Sequence, residues 1–407
     1  MAKQNIITGL DIGSGTIKAV LASKPKAEAT LEILAFAEEP SFGIRKGIVI
    51  NPSEVTAIIQ NVLKKIDDTV DRKVESVYVN VGGSHIFSTS SRGLVSVSRA
   101  DQKISQEDIE RVLQAAQTFS LPLNREILEV FPREFTVDGE NGIKTPEGLR
   151  GVRLEAEVLV LGGFSPYIKN LTTAVLNSGL QINDLIFSPL ASSRAVLTQR
   201  EKELGVALLD IGAGTTGLSV FEEGDLVHVA ILPIGSGHIT SDIAIYLKSD
   251  IDVAERIKLE FGNLFWKGQD KKEKIKLEDG ETLVFSPKQI SRVIEDRVSE
   301  IFAEVNKELK KIGKAQRLPS GIVLTGGGSK LPKIKDLAKK EFRLPCRPGL
   351  ARGFLAMQED PKFSTACGLV LTGVDLKGER GALGEGFLSS GRGIAARVKK
   401  IFKIFVP

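Results

Sequence analysis

The sequence predicts an α/β fold of at least two domains, and three glycine-rich turns, each closing an apolar strand, carry that prediction. One turn is Leu209-Asp210-Ile211-Gly212-Ala213-Gly214-Thr215-Thr216. Near the other end, Leu10-Asp11-Ile12-Gly13-Ser14-Gly15-Thr16 repeats it position for position, Asp11 against Asp210 and Gly13 against Gly212. The third runs from Gly321 to Lys330 and carries Gly326, Gly327 and Gly328. Around the turns, runs with apolar residues at helical spacing alternate with short apolar strands.

The first two turns are each expected to join a strand pair, Asn5–Leu10 with Ile17–Ala22 and Val206–Leu209 with Leu218–Phe221. Glycine makes such corners tight, because positive φ costs it little, and the backbone N–H groups can point into one concavity. Two facing nests of this kind would grip one polyphosphate from both sides, and Asp11 and Asp210 would hold a Mg²⁺, mostly through its waters. The third turn follows an apolar strand and precedes a helix expected near Pro332, again a geometry for approaching an anion.

Between the turns the chain alternates in type. Leu31–Phe36 and Gly47–Ile50 read as short strands. A helix follows with Asn51 as N-cap, Pro52 in its first turn and Glu54 at N3; Val55, Ile58, Ile59, Val62, Leu63 and Ile66 make one buried face. Val74–Val81 is a strand ending at Gly82-Gly83. Residues 84–160 read as a small self-contained α+β insert, or by composition alone equally as a continuation of the first domain: strand Gly93–Ser98, a helix capped by Ser105, and strands Ile127–Val137 and Val152–Leu161. Helices at Ser165–Asn177 and Pro189–Leu204 flank strand Ile182–Phe187. Strand His228–Ile234 leads to Gly235-Ser236-Gly237 and a helix from about Thr240. Glu255 and Lys258 share a helical face, Trp266–Glu281 is a charged loop or hairpin, and a long helix runs from Ser286 to about Ile312.

Composition excludes several classes. With 42% apolar and 26% charged residues the chain is an ordinary globular protein. Two cysteines, Cys346 and Cys367, exclude a disulfide scaffold, and three histidines with no Cys/His cluster argue against zinc. No apolar leader follows Met1 and no run approaches a membrane span, so the body is expected in the cytoplasm. The net charge of +4 comes from the tail, where Arg392, Arg397, Lys399, Lys400 and Lys403 stand with no acid among them. The remainder is near neutral, with no basic patch to suggest nucleic acid.

That tail has its own pattern. Asp375–Gly393 is rich in glycine and serine and reads as a flexible linker. Beyond it, Ile394, Val398, Ile401, Phe402 and Phe405 fall on one helical stripe, with Arg397, Lys399, Lys400 and Lys403 on the other side. Such a helix is expected to lie in an anionic membrane surface.

The three turns, in this order, resemble the phosphate-1, phosphate-2 and adenosine motifs of the actin-like ATPase superfamily. Within it the chain resembles the FtsA family of bacterial cell-division proteins over nearly its whole length. The insert, the runs Leu185–Ser193, Glu203–Gly212, Thr240–Ala244 and Gly321–Gly328, and the tail carry the resemblance. It implies an actin-like fold of two α/β domains around an ATP–Mg²⁺ cleft, with an FtsA-type 1C insert and a C-terminal amphipathic helix. The implied parts are 1–83, completed by 161–197 and about 362–374, as the first large subdomain, and 84–160 as the insert. Then come 198–242 with 318–361 as the second large subdomain, 243–317 as the second small one, 375–392 as linker and 393–407 as membrane helix.

Residue by residue, the resemblance implies nucleotide contacts from Asp11, Gly13, Ser14, Gly15, Thr16, Lys18, Gly212, Ala213, Gly214, Thr215, Thr216, Gly235, Ser236, Glu255, Lys258, Gly326, Gly327 and Gly328. Asp210 is the candidate catalytic residue and, with Asp11, the candidate metal ligand. Two positions depart from the hydrolytic pattern. Gly217 stands where phosphate-2 carries an aspartate, and Ser188 where the connecting helix often carries an acid or amide. Slow hydrolysis is therefore expected. The implied partners are the FtsZ C-terminal peptide, received by Arg292 and Arg297, further copies of the chain in protofilaments, an anionic membrane surface and other division proteins, with no nucleic acid. The implied location is the cytoplasmic face of the membrane at the division site. The rivals are another membrane-associated actin-like scaffold, such as the pilus-assembly protein PilM, and a sugar-kinase-type phosphotransferase.

Overall fold

A computed structural model describes residues 5–25, 30–119, 121–269, 271–277, 280–355 and 360–383. The N-terminal run folds as β1 (Asn5–Ile12), β2 (Thr16–Lys24), β3 (Leu31–Pro40), the short hairpin β4 (Ile44–Arg45) and β5 (Ile48–Val49), α1 (Pro52–Val70) and β6 (Ser76–Val81). β1 and β2 pair antiparallel with Asp11 opposite Lys18, and β6 joins β1 in parallel. The Asn51 side chain caps α1 by accepting from the Glu54 N–H, and Val55, Ile59, Val62, Leu63 and Ile66 are buried as their spacing predicts.

The insert follows as β7 (Phe87–Ser96), α2 (Gln106–Ala115), β8 (Arg125–Val137), β9 (Glu140–Ile143) and β10 (Arg153–Phe164), its sheet ordered β7-β10-β8-β9. α2 lies hard on β7, where a Cβ at Gly93 would stand 2.2 Å from the Val112 carbonyl oxygen. The insert has a core of its own around Val112, Phe135, Leu154 and Val158. It is also joined to the body. Phe131, Leu159 and Leu161 enter a second core with Phe221, Leu226 and Val229, and the Ser88 hydroxyl donates to the Val229 carbonyl at 2.7 Å. The apolar face those residues make is buried against the body, with Ile86 and Leu128 of the insert packed beside it.

At the root of the insert, burial lowers the His85 imidazole to about 4. Neither ring nitrogen has a hydrogen-bond partner among the described residues, and the ring meets Tyr167 edge-on at 5.4 Å. An unfolded histidine binds its proton near 6.5, so between about 6.5 and 4 the unfolded chain takes up a proton that the folded chain refuses. Stability from this group is complete above that window and is lost as pH falls through it, by roughly 1–3 kcal/mol. Denaturant titrations at pH 7.5 and 4.5 should show this loss, and His85→Leu should flatten it. Parallel pH profiles for the two proteins would count against the assignment.

The chain continues through α3 (Ser165–Asn177), β11 (Gln181–Phe187), α4 (Ser188–Val196) and α5 (Gln199–Leu204). A second sheet follows from β12 (Val206–Ile211), β13 (Thr216–Glu222) and β14 (Asp225–Leu232), then α6 (Ser236–Leu247) and α7 (Ile251–Phe261). Next are β15 (Glu273–Lys276) and β16 (Thr282–Phe285), a hairpin whose first strand lies in the stretch expected as a charged loop or hairpin, followed by α8 (Pro287–Lys311), β17 (Gly321–Thr325), α9 (Ile334–Phe342) and β18 (Cys346–Pro348). β19 (Phe354–Leu355) returns to the first sheet, and α10 (Ser364–Leu383) ends the described chain.

The two large sheets are ordered β11-β6-β1-β2-β3-β19 and β14-β13-β12-β17-β18. Each is built on the same unit, a hairpin whose first strand also takes a parallel neighbour: β1–β2 with β6, and β12–β13 with β17. The repeated sequence is thus a repeated structure.

The single helix expected over Pro189–Leu204 is two, α4 and α5, the strand expected at Gly93–Ser98 is β7, starting at Phe87, and three further boundaries differ from expectation. α6 begins at Ser236 rather than Thr240, because the Ser236 and Gly237 N–H groups donate to the Gly212 and Ala213 carbonyls, both at 2.8 Å. The third turn winds first into a 3₁₀ turn, Gly327–Lys330, and α9 starts only at Ile334. The linker expected from Asp375 is helical to Leu383. Its first residues are tied to the body: Leu376 is buried, Arg194 pairs with Asp375 at 2.8 Å, and the Lys377 ammonium donates to the Ile6 carbonyl at 2.9 Å. Composition registers the glycines and serines of that stretch but not these anchors. Residues 384–407, with the expected membrane helix and its Ile394, Arg397, Val398, Lys400, Ile401, Phe402, Lys403 and Phe405, lie outside the described residues.

Candidate functional site

The two hairpin turns close by the same hydrogen bond. The Gly13 N–H donates to the Thr16 carbonyl at 3.2 Å, and the Gly212 N–H to the Thr215 carbonyl at 2.9 Å. They also meet each other reciprocally. A Cβ on Gly15 would stand 2.7 Å from the Ala213 Cβ, and one on Gly214 would stand 2.7 Å from Ser14 Oγ. Glycine at 15 and 214 is therefore what lets the turns touch. Between and around them lies a cleft of about 990 Å³, lined from both sheets and from α7.

Asp11 and Asp210 reach the cleft at equivalent places on the two hairpins. Asn80 Nδ2 donates to Asp11 Oδ1 at 2.8 Å, and Lys18 Nζ approaches Oδ2 at 3.4 Å. Thr365 Oγ1 donates to Asp210 Oδ2 at 2.9 Å. Burial pushes the Asp210 carboxyl up to about 6; the charge on Asp11 adds to that, while the Thr365 and Ser192 hydroxyls and Lys18 oppose it. An Asp210 carboxyl whose ionisation is opposed by burial and by the Asp11 charge, with hard oxygen donors lining an open cleft, fits a divalent cation such as Mg²⁺.

Most of the expected nucleotide contacts line this cleft: Gly13, Ser14, Gly15, Thr16, Lys18, Gly212, Ala213, Gly214, Thr215, Ser236, Glu255, Lys258, Gly326, Gly327 and Gly328. Gly326 has φ +81°, and a Cβ there would stand 2.3 Å from Asp210 Oδ1, so only glycine brings the third turn beside the aspartate. Glu255 and Lys258 form an ion pair at 2.6 Å that faces the cleft, with Lys258 also donating to Thr240 Oγ1 at 2.8 Å. The pair is both a helix-face ion pair and part of the wall.

Two expected contacts stand behind the wall. Thr216 is fully buried and its hydroxyl donates to the Ile234 carbonyl at 2.8 Å. Gly235 is buried beneath the phosphate-2 turn, where a Cβ would strike the Gly212 carbonyl oxygen at 2.5 Å. Both support the turn rather than face a ligand, because strand alternation and helix packing turn them inward. The expected partner residues lie elsewhere, on α8. Arg297 is held by Asp242, through Nε at 2.5 Å and Nη2 at 2.7 Å, and by Glu300 at 2.6 Å, so it is not free to receive an acidic peptide. Arg292 is exposed and has no charged partner among the described residues.

Asn80, Thr365 and Lys362 were not legible as site residues. Asn80 comes from the end of β6, and Thr365 and Lys362 from the start of α10 and the turn before it. Lys362 bridges to Glu38 at 2.5 Å, and both line the cleft. Nothing in their local sequence marks them.

Two α/β halves built on repeated hairpins, with the turns facing across a cleft, define an actin-like ATPase fold. Solved structures agree at the level of fold. The PilM–PilN type IV pilus biogenesis complex matches with a TM-score of 0.66 at 20% identity, over 90% of this chain and 98% of that one. MreB5 of Spiroplasma citri bound to AMPPNP matches with a TM-score of 0.55 at 14% identity, over 95% and 100%. The family is decided by closer similarity. The family model for cell division protein FtsA matches residues 207–368, and that for the SHS2 domain inserted in FTSA matches 83–161. Cell division protein FtsA of Pseudomonas aeruginosa is 35% identical over 91% of this chain and 89% of its own. That of Escherichia coli is 32% identical over 92% of each. The chain belongs to the FtsA family of cell-division proteins.

Proposed function

We propose that this protein binds Mg·ATP between the two hairpin turns and acts as a filament-forming adaptor that holds FtsZ at the cytoplasmic membrane. The observation that carries the nucleotide reading is the reciprocal contact of Gly15 with Ala213 and of Gly214 with Ser14. Backbone donors from two equivalent turns thereby converge on one place, in a fold shared with a solved structure that holds AMPPNP. When bound, Mg·ATP supplies the negative charge that both turns can share and so favours the closed arrangement of the halves. Asp11 and Asp210 would hold the cation's shell, and Glu255 and Lys258 would border the nucleoside end.

The same site supports slow turnover. Phosphoryl transfer depends on a positioned water, and a carboxylate or amide usually holds it. Position 217 has no side chain and no room for one, since a Cβ there would stand 2.9 Å from Pro189 Cγ. An aspartate at 217 would therefore displace α4 rather than restore a water-holding group. Ser188 Oγ already accepts a hydrogen bond from Asn80 at 3.1 Å. Calorimetric titration with ATP, in Mg²⁺ and in EDTA, tests the reading: tight, Mg²⁺-dependent binding with turnover well below one per second is expected. Binding that ignores Mg²⁺ would overturn it.

The membrane role is supported by the sequence of 393–407 and by membership of the family. The described helices include none long and apolar enough to cross a bilayer. Each apolar residue of the stripe adds roughly 1.5 kcal/mol on burial and each cation roughly 1 kcal/mol near anionic lipid, offset by the ordering of a dozen residues. One tail then binds weakly, and many tails on a filament bind by avidity. Phe402→Glu should abolish co-sedimentation with anionic vesicles while leaving ATP binding unchanged. Sedimentation equal to the parent would remove the tail as anchor. For FtsZ, Arg292 is the free cation of the expected pair, with Arg297 engaged by Asp242.

A further inference from the structure

Asn80 lies near the end of β6 inside the molecule, only 4% exposed, and both its amide oxygen and its amide nitrogen are engaged. Its Oδ1 accepts the Ile12 N–H at 2.6 Å, while Nδ2 donates to Asp11 Oδ1 at 2.8 Å and to Ser188 Oγ at 3.1 Å. The orientation is dictated by chemistry, because a backbone N–H demands the oxygen and a carboxylate demands the nitrogen. One side chain thus links the phosphate-1 turn, the metal-side aspartate and the first residue of α4. β6 is brought this close by Gly82, where a Cβ would stand 2.2 Å from Ser188 Oγ.

We propose that Asn80 is a positioning residue for the cation site, fixing the Asp11 carboxylate so that its remaining lone pairs face the cleft. This inference rests on the Mg·ATP reading above. Without the amide, Asp11 would keep, among the described residues, only the Lys18 side chain, a single contact at 3.4 Å on the other oxygen, and its carboxylate would be free to turn. Mg²⁺ demands near-ideal octahedral geometry and keeps several waters, so a carboxylate held at one orientation binds it better than a mobile one. Side chains that orient a metal's ligands in this way typically change metal affinity by about 10- to 100-fold when removed. Asn80 carries no charge, so it orients Asp11 without competing for the cation.

A double-mutant cycle on the full chain tests this, using Asn80→Ala, Asp11→Asn and the pair, each titrated with ATP in Mg²⁺ and in EDTA. Asn80→Ala should weaken Mg²⁺-dependent ATP binding by at least about tenfold and leave binding in EDTA within about twofold of the parent. In the Asp11→Asn background the same substitution should cost Mg²⁺-dependent binding nothing more, because the carboxylate it orients is gone, and any loss from its bonds to the Ile12 N–H and Ser188 Oγ should appear equally in EDTA. Equal losses in Mg²⁺ and EDTA, or full additivity with Asp11→Asn, would reduce Asn80 to a structural residue and overturn the inference. Asn80→Ser is carried in parallel, and its intermediate loss completes the cycle if the alanine variant melts below the assay temperature. A parent without Mg²⁺-dependent binding would instead remove the reading beneath the inference.

Discussion

Gly368→Val is expected to destabilise the fold by at least about 3 kcal/mol, more than most core substitutions. A Cβ at 368 would lie 1.7 Å from the Ala191 carbonyl oxygen and 2.2 Å from its carbonyl carbon. These are backbone atoms of α4, so no rotamer change can make room. The neighbouring seat is as tight: a Cβ on Gly9 in β1 would stand 2.4 Å from the Ala366 carbonyl oxygen. α10 therefore touches α4 and β1 through glycine, and a bulky residue must lift the whole helix. Because α10 also carries Thr365, which donates to Asp210, the displacement should reach the cleft and weaken ATP binding as well. Denaturant titration measures the first effect. A midpoint within about 0.5 kcal/mol of the parent would mean that α10 is not seated as described.

Asp210→Asn should separate stability from binding. The carboxylate is held in a partly buried place beside Asp11, where ionisation is opposed by burial first and by the like charge next. Its raised value means that the unfolded chain ionises more readily than the folded one, so at neutral pH the charge costs stability, by an amount on the order of 1–3 kcal/mol. A neutral amide of the same shape removes that cost and can still accept from Thr365. The variant should melt at or above the parent's temperature while Mg·ATP affinity falls by at least about tenfold, since on the proposed reading the cation would lose one of its two carboxylates. A variant that melts lower and binds Mg·ATP normally would show that Asp210 serves packing and not the cation. Opposed signs of this kind are characteristic of groups kept for function at the expense of stability.

The sequence by itself determined the parts whose physics is local. Both hairpin turns, the Asn51 cap and buried face of α1, the capped helix of the insert and the long α8 are set by glycine conformations, capping side chains and apolar spacing within a dozen residues. Repetition of one turn at Asp11 and Asp210 also made their pairing across a cleft legible, because equivalent turns imply equivalent roles. The tertiary structure alone decided what lies between distant positions. Asn80 meets Asp11, Thr365 meets Asp210, Lys362 meets Glu38 and Ser88 meets Val229 only because sheet order and helix packing bring them together. It also decided that Thr216 and Gly235 stand behind the wall, that Arg297 is engaged by Asp242, and that Asp375 belongs to a helix. Each of these turns on which side of an element faces a partner far away in the chain, and local spacing carries no information about the partner.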